Sequence, residues 1–332
     1  MTGIHRQALA LLLAAAWNPA AQGFVISSPH SSSSSALHMS APPEAPSLAQ
    51  THNQGPLTVN GSGQAMTKEQ LEEAREELDK IKKEFGFKEP ERSFMDDPDI
   101  QWRFGGKPDY TVTNLLFLKE RSKIHPEGSL ELIVENLVKT WEMERSHKTD
   151  PNQHQSVDTE KFQITANGGK TYNNIEANKV GNYNVLLDSV APDVWDNDKI
   201  TWEDSHDTFH ETFAAFPWEV LEVFSGPPKV GFTWRHWGTF TGEFEGNKGQ
   251  GELVEMFGFG TAVVNDKLQL QDVEIFFNAE EFIDVLRGNK KTTEVNTMWT
   301  QSNHGCPFTA LSESPAGKVP LLSRLFKMLK GK

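Results

Sequence analysis

Four consecutive residues, Trp234-Arg235-His236-Trp237, set two polar side chains inside an apolar run. Side chains alternate between faces along a strand, so Trp234 and His236 share one face and Arg235 and Trp237 the other. An imidazole titrates near neutral pH and can serve as general base or acid. A guanidinium holds a carboxylate or enolate oxygen through paired donors. Glu255 and Glu274 stand on the neighbouring apolar runs, where burial beside aromatic rings would raise their pKa values. His236 and Glu274 are therefore candidate proton-transfer groups, with Arg235 supporting an oxyanion. The competing account is an Arg–Glu pair between strands, with His236 satisfied by a nearby carbonyl. The sequence leaves open which face points inward.

Other candidates lie on helical stretches. His206 and His210 are four residues apart and share a helix face. Two imidazoles do not make a metal site, and no third ligand is adjacent. Cys306 is the single cysteine, so neither an internal disulfide nor a cysteine zinc cage can form. No phosphate loop, dinucleotide fingerprint or Ser-His-Asp order appears. Neither a metal nor a cofactor is expected. Glu144 follows Trp141 by three residues, and either caps a solvated helix end or points into a cavity. Trp141, Glu144, His210, Trp218, Trp234, Glu255 and Asn278 are the candidate lining of a pocket for a hydrophobic small molecule.

The elements that must hold these residues are legible in part. Apolar runs rich in β-branched and aromatic residues start at Trp218, pass Phe240, and continue over Leu253–Val264 and Leu268–Phe277. Gly226-Pro227-Pro228, the glycine-rich 246–251 loop and Asn265-Asp266 separate them, which predicts four sequential antiparallel strands. Upstream, Thr67-Lys68-Glu69-Gln70 is a capping box. Leu71, Ala74, Leu78, Ile81 and Phe85 then form one stripe, and Gly86 is the natural stop. Residues 87–128 read as an irregular arm. Ser129 caps a second helix whose apolar face carries Leu130, Ile133, Val134, Leu137, Val138 and Trp141. Phe162–Ala166 reads as a short strand, Tyr183–Val190 as a short helix, Asp204-Ser205 as the cap of a helix to Phe213, and Ala279–Leu286 as a last helix. The fold class is α+β: a curved antiparallel sheet wrapped round helices, with an N-terminal extension helix.

The 332 residues carry a formal net charge of -14, which argues against a nucleic-acid partner. Arg6, the apolar Ala8–Trp17 and the small residues before Gly23 read as a signal peptide over 1–23. Phe24 then opens a serine-rich, acid-free segment to residue 40. Together these resemble the two-part plastid presequence of algae with complex plastids, with Gly23 in place of the commoner alanine. A plastid address is expected, with secretion as the alternative. Residues 41–66 read as a linker, and 289–332 as a polar tail ending in a basic amphipathic segment, 320–332, suited to a membrane surface.

Trp102-Arg103-Phe104-Gly105, Pro126–Glu131, Val138–Glu144 with His147-Lys148, Val220–Pro228, Arg235–Gly238 and Gly251–Glu255 resemble the plant pathogen-related protein family over about residues 100–288. That family resembles SnoaL-like polyketide cyclases within the nuclear-transport-factor-2-like superfamily. The resemblance implies a cone-shaped sheet with a cavity, and a homodimer through the sheet. It also implies an aspartate base near the end of the last strand. Here Asn278 holds that place, and Glu274, four residues earlier, is the nearby substitute. A lyase, isomerase or cyclase acting by His or Glu proton transfer is the alternative to simple ligand binding.

Overall fold

A computed structural model describes residues 67–291. The expected signal, plastid and linker segments, Cys306 and the basic end at 320–332 lie outside the described residues. Helix α1 (Lys68–Phe85) begins at the Thr67–Gln70 capping box, with both reciprocal hydrogen bonds made. It buries Leu71, Ala74, Leu78 and Ile81 and stops at Gly86, whose φ of 68° is the left-handed conformation that glycine adopts most readily. The expected irregular arm instead contains helix α2 (Thr111–Glu120), buried from Val112 to Lys119. A helix enclosed on most sides has no polar stripe, so its sequence shows no period. Even Lys119 is covered, and pairs with Glu77 of α1 at 2.6 Å.

Helix α3 (Leu130–His147) is capped by the Ser129 hydroxyl, which accepts from the Leu132 amide. Strands β1 (Gln163–Ala166) and β2 (Thr171–Asn173) follow, then α4 (Asn174–Val180), α5 (Asn182–Leu186) and α6 (Trp202–Thr212). The cap of α6 is Thr201 rather than Asp204. Asp204 sits at the third helical position and returns the capping-box bond to the Thr201 amide. The long strands are β3 (Trp218–Ser225), β4 (Lys229–Phe240), β7 (Glu252–Val264) and β8 (Leu270–Phe277); the short β5 (Glu243–Phe244) and β6 (Asn247–Lys248) form a small hairpin between β4 and β7. Helix α7 (Ala279–Leu286) closes the described chain.

The main sheet has six strands in the order β2-β1-β8-β7-β4-β3. All pairs are antiparallel except β1–β8. The four sequential strands are thus extended by two short ones that sequence order places far upstream. One face packs against α3, α5, α6 and α7 in the main core, which includes Val134, Val185, Phe209, Phe232, Trp234, Val273 and Phe282. On the other face, Trp237 joins α1 and α2 in a second cluster with Leu78, Ile81, Leu115 and Phe117. Helix α3 also closes the edge strand β3. Glu135 accepts the Val220 amide at 3.0 Å and Lys139 donates to the Trp218 carbonyl, while His125, in the loop before the helix, bonds the Val220 carbonyl at 2.7 Å. An edge capped this way offers fewer free backbone groups to another chain.

Candidate functional site

The inner sheet face and helices α3, α5 and α6 line a cavity of about 160 Å³. Its size follows from side-chain geometry along β4 and β7. Phe232 and Trp234 lie opposite Gly260 and Gly258 in the register. A Cβ on Gly258 would stand 2.2 Å from the Trp234 ring, and one on Gly260 2.7 Å from the Phe232 ring. The glycines therefore let two large rings lie flat across the neighbouring strand and form one wall. Phe277, Val273 and Met256 continue it, and Trp141, Leu137 and Val134 of α3 face it.

A few polar groups interrupt this apolar lining. Lys139 is 5% exposed, donates to the Trp218 carbonyl, and stands 3.9 Å from Glu135 and 4.0 Å from the Phe117 ring centre. Burial pulls its pKa down to about 8, against the raising effect of Glu135. Glu142, one turn on, accepts from the Tyr110 and Ser146 hydroxyls, each at 3.1 Å. Burial raises its pKa, and the nearby Arg92 charge opposes the rise. Tyr183 stacks on Phe209 at 4.2 Å, and burial holds its phenol well above the usual range. His206 and His210 stack at 3.6 Å, and burial lowers the His206 pKa.

His236 stacks on Phe216 at 3.7 Å, and its Nδ1 lies 2.9 Å from the Pro217 carbonyl. A carbonyl only accepts, so Nδ1 carries the proton and Nε2 is the lone-pair nitrogen. Burial pushes the pKa of His236 down to about 3. It is a neutral hydrogen-bond acceptor at physiological pH, but a weak base, because proton affinity falls with the pKa of the conjugate acid.

The structure brings His236, Trp141, His210, Trp218 and Trp234 together on the cavity. It places the other candidates elsewhere. Arg235 faces outward and is held by Glu219 at 3.0 Å, by Glu255 at 2.7 Å and by the Glu120 carbonyl at 3.0 Å. Its guanidinium and Glu255 bind strands β3, β4 and β7 to the end of α2, so Arg235 supports no oxyanion in the cavity. Glu274 is exposed on the outer face, where Thr261 donates to it at 3.3 Å; the inward residues of β8 are Val273, Ile275 and Phe277. Asn278 is exposed and caps α7, its oxygen accepting from the Glu281 amide at 3.1 Å. The chain has already left the strand there, so the inward period no longer applies. Glu144 is fully buried, yet away from the cavity. It pairs with Lys148 at 2.8 Å and accepts the amides of Gln155 and Ser156, each at 2.9 Å, and the Ser156 hydroxyl at 2.6 Å.

Lys139, Glu142, Ser146 and Tyr183 are cavity groups that the sequence reasoning missed. With Glu135, the α3 members recur at steps of four, three and four residues. That stripe looks like a solvated helix face, but here it lies against β3 and the cavity. Among the described residues, no group of three or more His, Cys, Asp or Glu side chains is placed to hold a metal. The arrangement suits a small apolar molecule carrying one hydrogen-bonding or carbonyl group.

No family model matches the chain. The pathogen-related protein of Hordeum vulgare is 36% identical over 188 residues, which span 55% of this chain and 80% of that protein. Among solved structures, the chain is similar to wild-type IdmH, a proposed polyketide cyclase from Streptomyces antibioticus, with TM-score 0.29, 13% identity, and coverage of 42% of this chain and 87% of the other. It is also similar to a proposed SnoaL-like polyketide cyclase from Jannaschia sp. CCS1, with TM-score 0.25, 13% identity, and coverage of 41% and 77%.

Proposed function

The chain belongs to the pathogen-related protein family, and we propose that it binds a small hydrophobic molecule in the cavity between the sheet and helices α3, α5 and α6. The observation that carries this is the space of about 160 Å³ with its apolar wall and few polar groups. An apolar engineered cavity of about 150 Å³ stays dry and takes up benzene, so the favoured ligand is a single ring or a short branched chain. The Nε2 of His236 and the Tyr183 hydroxyl would select a ligand with one polar end. Native mass spectrometry of protein purified from its own cells should show a bound molecule of that size. Repeated apo masses, together with no thermal shift on adding small aromatic alcohols, would remove this function.

A second reading is an enzyme of lyase, isomerase or cyclase type that acts by proton transfer. The observation that favours it is a carboxyl, Glu142, raised by burial and set on the cavity one helical turn from Lys139. In this reading Glu142 takes the role of base in place of Glu274 and His236. Glu142→Gln should abolish turnover of any substrate found while leaving the melting temperature within a few degrees. Retained turnover would sink it.

A further inference from the structure

Lys139 is the group that simple apolar binding leaves without a role. An ammonium in an apolar chamber is costly unless well paired. This one has a single hydrogen bond, to the Trp218 carbonyl, and its nearest carboxylate, Glu135, is 3.9 Å away. The rings of Phe117 and Trp218 lie 4.0 and 5.4 Å from the nitrogen. Glu142, three residues on, borders the same space and is held by two hydroxyls rather than by a direct ion pair with the lysine. Amine and carboxyl thus stand on one helix flank, above a space that fits one ring.

We infer that Lys139 captures small apolar aldehydes or ketones as a reversible imine, with Glu142 moving the protons. This rests on the cavity being a ligand site, as proposed above. The amine lone pair attacks the carbonyl carbon and forms the C–N bond. The carbonyl π pair goes to oxygen, which gains a proton while the nitrogen loses one, giving a carbinolamine. Glu142 then protonates the hydroxyl, water leaves, the nitrogen lone pair forms the C=N bond of an iminium, and the iminium N–H proton returns to the Glu142 carboxylate, leaving the neutral imine. Aldehyde plus amine becomes imine plus water, and no oxidant or reductant is needed. The apolar wall holds the carbonyl compound and keeps bulk water from reversing the step.

The electrostatics agree with this geometry. A lysine whose pKa is about 8 is neutral in about one molecule in ten at pH 7, whereas an ordinary lysine is neutral in fewer than about one in a thousand. A buried carboxyl with a raised pKa holds a proton more readily than an exposed one.

The test uses the whole purified chain with benzaldehyde and sodium cyanoborohydride at pH 7, followed by peptide mapping. Lys139 should be benzylated at least about tenfold faster than exposed lysines such as Lys80 and Lys267. Lys139→Arg, which keeps the charge and can donate to the Trp218 carbonyl, should lose the fast label. Glu142→Gln should slow labelling of Lys139 on the order of a hundredfold; an unchanged rate removes Glu142 from the step. Benzyl alcohol cannot form an imine, so it separates the two ideas. If it stabilises the protein while Lys139 labels no faster than Lys80, the imine is overturned and the cavity site stands. If neither binding nor labelling occurs, both fall.

Discussion

Replacing Glu144 by Gln gives the sharpest test of where this carboxylate lies. Glu144 and Lys148 are both fully buried, and their charges are 2.8 Å apart. The carboxylate also accepts three donors from Gln155 and Ser156, tying the end of α3 to the segment that leads into β1. The amide keeps the shape but loses the charge, and presents an NH2 group where at least one donor already points. A hydrogen bond to a charged group contributes about 1.5–3 kcal/mol. A buried lysine stripped of its carboxylate costs about 3–5 kcal/mol. The two estimates overlap in the same contacts, so the expected loss is about 3–5 kcal/mol and not their sum. For a domain of this size each kcal/mol moves Tm by about 2–4 °C, which predicts a fall of roughly 6–20 °C in a thermal melt. Glu144→Gln combined with Lys148→Met should recover part of it, because the uncompensated charge is gone. Benzyl alcohol binding should persist in both variants, since Glu144 is not part of the cavity wall. A loss below about 1 kcal/mol, the usual contribution of a solvated pair, would refute the reasoning and return Glu144 to a solvated helix end.

Other parts of the molecule give similarly direct tests. Gly258→Ala sets a methyl 2.2 Å from the Trp234 ring and 2.5 Å from the Phe276 carbonyl; overpacking of this kind should cost about 1–3 kcal/mol in urea unfolding and weaken ligand binding. Burial holds His236 at about 3 and His154 at about 4, both below the unfolded value of about 6.5. Stability should therefore be fully present above pH 6.5 and fall as the unfolded chain takes up protons that the folded chain refuses, by up to about 1.4 kcal/mol per pH unit for each histidine. His236→Gln should flatten the decline between about pH 6.5 and 4, and an unaltered slope would show that His236 is not buried neutral. We propose a homodimer through the outer sheet face, where Phe224, Phe259 and Phe276 are 58%, 38% and 40% exposed. Light scattering should give twice the chain mass, and Phe259→Lys should give the monomer; a wild-type monomer at micromolar concentration would remove the interface.

The parts of the fold that depend on local signals were legible. Thr67, Ser129 and Gly86 mark helix ends through hydrogen bonds or conformations made within a few residues, and the strand breaks fall at turn-forming residues. What was hidden depends on distant partners. The α2 helix is enclosed by α1 and the sheet, so it shows no stripe. On β7 both alternating sets are mostly apolar because helices cover the inner face and Phe257 and Phe259 occupy the outer. Alternation alone could not choose between Arg235 and His236 as the inward residue. A usable signal was present in Gly258 and Gly260, which alternate with those phenylalanines. Two glycines at the same phase of a strand mark the side where a neighbouring strand sends large rings across, and that side is the one with Trp234 and His236.

The missed chemistry on α3 has a deeper cause. Glu135 and Lys139 cap the backbone of the edge strand β3, while Lys139 and Glu142 border the cavity. One polar stripe therefore does two tasks: it closes a sheet edge at one end and puts an amine and a carboxyl in an apolar chamber at the other. Neither task has a local sequence signature, because β3 is some 80 residues further along the chain, Lys139 and the Trp218 carbonyl being 79 positions apart. The same double use sets the surroundings of Lys139. Its hydrogen bond goes to a neutral carbonyl at the strand edge, and its nearest carboxylate, Glu135, stands 3.9 Å away. Moving Glu135 closer by Glu135→Asp is not possible, since the shorter side chain retreats from both Lys139 and the Val220 amide. That variant should free the β3 edge and lower stability, yet leave the Lys139 amine on the cavity and still open to labelling.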